Sequence, residues 1–293
     1  MLRQVFEEEL ARRKAEYGDN DAHTAQAARD LGLWLVKQGD VRGAREALAQ
    51  AVGADERVLG PAAEQTLADV AELAAVSDSR QAEVLWQSAS KSSDAEVAAR
   101  SLAGLGGLRE QTGDRAGAAR FYRQALAKEE SASGKDSARV AARLNTLSLF
   151  VAPAEGVVLL DRALRITTAR LGARHLGTAS IQVNLAGLLS QTGHAQRAVR
   201  LAKEATSVFE EALGPEHPRT AAGLLIQANA RRASGDGSDV EPMLRRALAI
   251  MEQALGPRHP QTLVYARALA DFLREIGKEQ HAAELDRRIN EKP

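Results

Sequence analysis

Apolar residues recur along this chain at three- and four-residue intervals rather than in alternation, which is the pattern of helices. Between 175 and 191 the stripe is Ile181, Leu185, Leu188 and Leu189. Between 195 and 212 it is Ala198, Leu201, Ala202, Ala205, Val208 and Phe209. The stretch QTGHAQ separates the two, with Gly193 suited to the positive φ of a helix end. Leu213-Gly214-Pro215 closes the second helix. The segment reads helix, turn, helix.

That unit repeats. LGARHLGTA begins at 171, LGPEHPRTA at 213 and LGPRHPQTL at 255, so Thr178, Thr220 and Thr262 stand 42 residues apart. A Gly lies six residues before each Thr, and the same pair occurs as Gly18/Thr24 and Gly60/Thr66. A second anchor is a small residue in the second helix: Ala44, Ala82, Ala118, Gly156, Ala198, Val240 and Ala282. Seven residues after each comes Ala51, Ala89, Ala125, Ala163, Ala205, Ala247 or Ile289, two helical turns along one face. Seven units follow, near 18–59, 60–93, 94–133, 134–171, 172–213, 214–255 and 256–293. Each has a first helix, A, and a second, B.

Units two and four lack the turn glycine present as Gly39, Gly113, Gly193, Gly235 and Gly277. They are also four residues short between Leu73 and Ala82, and between Leu147 and Gly156. That deficit is close to one turn, about 5–6 Å, and predicts an A helix cut short at its end with the B helices still in register. Residues 2–16 predict an amphipathic helix, with Leu2, Val5, Phe6 and Leu10 inward. Its VFEEEL matches VFEEAL at 208–213, so residues 1–17 are either a cap or the remnant of a preceding repeat. At the other end, Asp286 at a packing position marks a solvated capping helix.

Neither helix of a unit can bury its stripe alone, and stacking on neighbours does so. The expected fold is all-α, a right-handed superhelical α-solenoid of about seven helix-turn-helix repeats with capping helices. The pattern resembles tetratricopeptide repeats (TPR). The 42-residue period, Val183-Asn184-Leu185-Ala186, Arg162-Ala163-Leu164, Arg246-Ala247-Leu248 and the LGPEHP phrase resemble the kinesin-light-chain type of that repeat.

Composition narrows the function. Lys plus Arg and Asp plus Glu are 39 each, so no global charge draws the chain to nucleic acid or acidic lipid. There is no cysteine, and no apolar run of about 18 residues calls for a membrane span. The first ten residues, MLRQVFEEEL, carry three Glu and no signal-peptide core, and the expected location is the cytoplasm. His175, His217 and His259 fall one repeat apart, about 10 Å, too far for a shared metal. Helix capping is their expected role, with Pro218 and Pro260 at first helical positions. SASGKDS has Gly134-Lys135 but lacks the upstream glycine and preceding strand of a phosphate loop, and GDGSDVE lacks calcium-loop spacing. No nucleophile constellation stands out, so no enzyme, metal or cofactor is expected.

What remains is the groove. In the resembled fold, groove positions on helix A lie at fixed offsets from its small residue. In unit five, with Ala186, these are Ser180, Val183, Gly187, Ser190 and Gln191. Carried across, the polar members are Gln26, Arg29 and Lys37; Arg100, Glu110 and Gln111; Asn145; Asn229 and Arg232; and Arg267, Asp271, Arg274 and Glu275. Six are basic and three acidic. Asn145 falls where the resemblance implies an Asn that hydrogen-bonds a bound peptide's backbone. The expected function is a scaffold, favoured as a monomer, that binds an extended acidic peptide or partner segment. The alternative is a sensor or scaffold region of a larger signalling protein whose groove packs intramolecularly.

Overall fold

The structure is a computed structural model and describes residues 2–290. It is all-helical, with fifteen α-helices and no strand among the described residues. The first is α1 (Leu2–Tyr17). Seven pairs follow: α2 (Ala22–Gln38) with α3 (Val41–Val58), α4 (Glu64–Ala75) with α5 (Ser79–Ala89), α6 (Ala95–Gln111) with α7 (Arg115–Ser133), α8 (Ala138–Ser148) with α9 (Pro153–Leu171), α10 (Leu176–Gln191) with α11 (Ala195–Leu213), α12 (Pro218–Ala233) with α13 (Val240–Leu255), and α14 (Pro260–Glu275) with α15 (Glu279–Asn290). The chain groups into two compact units, residues 1–143 and 144–293.

Within residues 1–143, α1 packs on α2, burying Leu10 and setting the Phe6 ring 5.8 Å from Trp34. Ala44, Ala47, Leu48 and Ala51 of α3 close onto Ala27, Ala28, Leu31 and Leu35 of α2. Gly32 faces Leu48, and Gly106 faces Tyr122 in the next full pair, so a side chain at either glycine would meet its neighbour at 2.7 Å. Residues 144–293 repeat the arrangement, with Ala179 and Val183 against Ala205, Val208 and Phe209, and Leu269, Ala270 and Leu273 against Leu244, Ala247 and Ile250. The small-residue anchors are buried in every pair, from Ala44 to Ala282.

Two signals set the helix boundaries. Gly193 turns between α10 and α11 at φ 82°, and Gly214 ends α11 at φ 98°, both in the left-handed region open to glycine. The recurring Gly–Thr pair is a fastener: Thr24, Thr66, Thr178 and Thr220 each donate their hydroxyl to the carbonyl of the Gly six residues earlier, at 2.7–3.0 Å. Thr262 donates instead to the Met251 carbonyl at 3.2 Å. His175, His217 and His259 cap their helices through Nδ1, which accepts from the amides of Gly177, Arg219 and Gln261. Asp21, Asp78 and Asp94 take that role before α2, α5 and α6.

The A helices of pairs two and four are short at their C-terminal ends, with 12 residues in α4 and 11 in α8 against 16 or 17 in the others. B helix α5 is short as well, at 11 residues, which the spacing had not indicated. Successive B helices of residues 144–293 are joined by ion pairs at a constant separation: Arg197 to Asp161, Arg246 to Glu210 and Arg288 to Glu252, each 36 residues apart.

Candidate interaction groove

The residues assigned to the groove fall into three groups. The first is engaged by the chain's own carboxylates. Arg29 is a half-buried cation between two buried acids, its Nε donating to Asp69 at 2.5 Å and an amino group to Asp55 at 2.8 Å. Asp55 and Asp69 are 1% exposed. Burial, then the Asp69 charge, raise the Asp55 carboxyl above its ordinary range. Arg100 pairs with Glu72 of the preceding A helix. Arg274 pairs with Asp271 at 2.7 Å and with Asp286 of α15. These side chains link helices to one another, and Arg29 is too enclosed to serve as a ligand contact.

The second group stands apart. Lys37 projects from the last turn of α2, and Arg267 is exposed on α14. Gln111 ends α6 and accepts from the Ser79 hydroxyl at 3.4 Å. Glu110 accepts from the buried Tyr122 hydroxyl at 3.2 Å, and burial followed by that carboxylate pushes the phenol up to about 12. Asn145 is half-buried and accepts a 2.8 Å bond from the Asn184 amide one repeat on, so its carbonyl oxygen faces a neighbour.

The third group converges. Gly187, Ser190 and Gln191 of α10, Ile226, Asn229, Arg232 and Ala233 of α12, and Glu275 of α14 line one cleft of about 500 Å³. Three consecutive A helices thus contribute to a single surface, and every lining residue except Ile226 stands at one of the carried-across offsets. Arg232 is held from below by the Phe272 ring, 5.8 Å away, a cation–π contact. Its Nε donates to Glu275 at 3.1 Å, and an amino group makes the second tine of a fork on the same carboxylate. The Asn229 side chain makes no hydrogen bond among the described residues, leaving its amide able to donate and accept. Ile226 adds an apolar wall. Its position was not among the offsets, and only a wider apolar signal on the outer face of α12 could have flagged it.

No group of three His, Cys, Asp or Glu among the described residues is placed to hold a metal. No described helix is long and apolar enough to cross a membrane.

Hairpins joined by small-residue seams, with successive A helices sharing a polar cleft, define an α-solenoid of helical repeats. Comparison identifies the repeat. A tetratricopeptide-repeat family model matches residues 153–211, and another matches 24–62 and 228–261. These residues carry tetratricopeptide repeats similar to those of kinesin-light-chain type, which support a protein–protein interaction scaffold in a fold that is typically non-catalytic. The nearly identical TPR-like repeats of a kinesin light chain candidate from Podosopora anserina are 25% identical, with a TM-score of 0.55 over 65% of this chain and 92% of that one. The apo form of RapI is 12% identical, with a TM-score of 0.67 over 90% and 96%. A Rap protein in complex with competence and sporulation factor is 14% identical, with a TM-score of 0.62 over 92% and 76%. No curated protein matches the chain in sequence.

Proposed function

We propose that the chain binds an extended, acidic segment of a partner protein across α10, α12 and α14. The supporting observation is the convergence of three A helices on one open cleft holding Asn229 and Arg232. The Asn229 amide suits the backbone of an extended chain, which offers one donor and one acceptor per residue. Arg232 is oriented for a carboxylate and already carries one. Glu275 is 54% exposed at its side chain, so a ligand carboxylate can exchange with it without opening the core. The Rap complex is a precedent for this fold holding a partner, and at 14% identity it bears on no single residue.

An array of 12-residue peptides of varied charge tests the reading. Acidic peptides are expected to be selected. Asn229→Ala combined with Arg232→Ala should weaken them by about ten-fold or more, the worth of a charge-assisted hydrogen bond. Glu275→Ala should strengthen them by removing the internal competitor. Selected peptides that bind all these variants alike would refute the assignment.

A further inference from the structure

A second cleft, of about 480 Å³, lies in residues 1–143 on the other helices of the repeat. Arg45 and Ala49 of α3 form one wall, Arg80, Val84 and Leu85 of α5 the other, and Leu73 of α4 the floor. It lies over the seam where pair one meets the short pair two. With α4 ending at Ala75 and α5 only 11 residues long, B helices α3 and α5 do not close over the floor between them. Val84 is 66% exposed within it.

The charges around this cleft are one-sided. Arg80 has no side-chain partner among the described residues. Arg45 donates only its Nε, to the Val76 carbonyl at 3.0 Å. The neighbouring acids are engaged elsewhere: Asp78 caps α5, Glu46 pairs with Arg42, and Glu83 pairs with Arg109. Both guanidiniums sit one turn before the apolar residue of their wall, Arg45 before Ala49 and Arg80 before Val84. The helices α3 and α5 run the same way, and the Arg45 guanidinium reaches back to the Val76 carbonyl just ahead of α5, so both cations gather where α5 begins, with Val84 and Ala49 beyond them.

From this polarity we infer that the α3–α5 cleft docks an amphipathic helix of a partner protein, one bearing large apolar side chains with carboxylates a turn away. On a helix, residues three and four apart share a face, which matches the one-turn separation of cation and apolar wall. Small apolar ligands are mostly enclosed by their sites, whereas this cleft is open to solvent at Val84.

The test uses the full chain and a fluorescein-labelled 16-residue helical peptide, Ala and Gln throughout except for Leu at two positions four apart and Glu one turn from each. Binding is expected by fluorescence anisotropy. Changing its Glu residues to Lys should weaken it by about ten-fold, and Arg80→Glu in the protein should restore the Lys peptide while rejecting the Glu peptide. Val84→Asp should abolish both. Both protein substitutions are at exposed positions, and circular dichroism checks that the variants remain folded. No binding, or equal binding by wild type and both variants, overturns the inference. So does saturable binding of dodecanoate in place of the peptide. Self-association in sedimentation that is lost in Val84→Asp would assign the cleft to a second copy of this chain, and it too overturns the inference.

Discussion

Glu64, in the first turn of α4, accepts hydrogen bonds from the Ser92 hydroxyl, the Ser93 hydroxyl and amide, and the Asp94 amide, clamping the loop that starts α6. Those donors, hydroxyls first, hold its carboxyl down at about 2, against an ordinary 4.5. A depressed folded-state value contributes stability above the ordinary value, and that stability is lost as pH falls toward 2. Glu64→Gln should therefore lower the melting temperature at pH 7, with the deficit shrinking as pH falls from 4.5 to about 2. A deficit constant across that range would trace the effect to shape rather than charge. Neither this clamp nor the Arg29 ion triad was legible in the sequence. The offset rule places Arg29 on the correct helix, but whether a guanidinium faces solvent or two buried acids depends on Asp55 and Asp69, which lie on other helices.

Helices were far more legible. The missing turn of α4 and α8 follows from a four-residue deficit, and the His217 and His259 caps follow from a His–Pro step at the helix start. The Gly–Thr pair was visible as spacing, while its chemistry required coordinates: the Thr hydroxyl satisfies a carbonyl at the end of the preceding B helix. Repeat four dispenses with it, placing the buried Val140 six residues after Gly134. Thr220→Val should accordingly cost about 1 kcal/mol, the net worth of one neutral hydrogen bond. The midpoint of urea unfolding measures it, and an unmoved midpoint would show that the hydroxyl adds nothing. The short α5 was not legible, because its small anchors keep their seven-residue spacing even where the helix ends early.

At the scale of the whole molecule, the 42-residue period of the last three units and the seven-residue anchor spacing kept in every unit announced the repeat fold, because apolar burial imposes that spacing. The 36-residue ion-pair separation stayed hidden, since charged residues crowd every exposed face and only contact distinguishes a paired one. Those pairs, Arg197–Asp161, Arg246–Glu210 and Arg288–Glu252, lie partly exposed at the surface, each worth about 0–1 kcal/mol, and are screened by salt. The apolar seams between the same helices are not screened. Ionic strength should therefore act on the hinges and spare the planks. Raising NaCl from about 0.05 to about 1 M shortens the screening length several-fold, and amide hydrogen exchange should quicken along the outer turns of α11, α13 and α15 while the protection of their buried faces holds. Uniform exchange at both concentrations would mean the rungs carry no load. If they do carry it, this stretch of the array stiffens in dilute buffer and grows supple in brine, with the electrolyte setting its compliance.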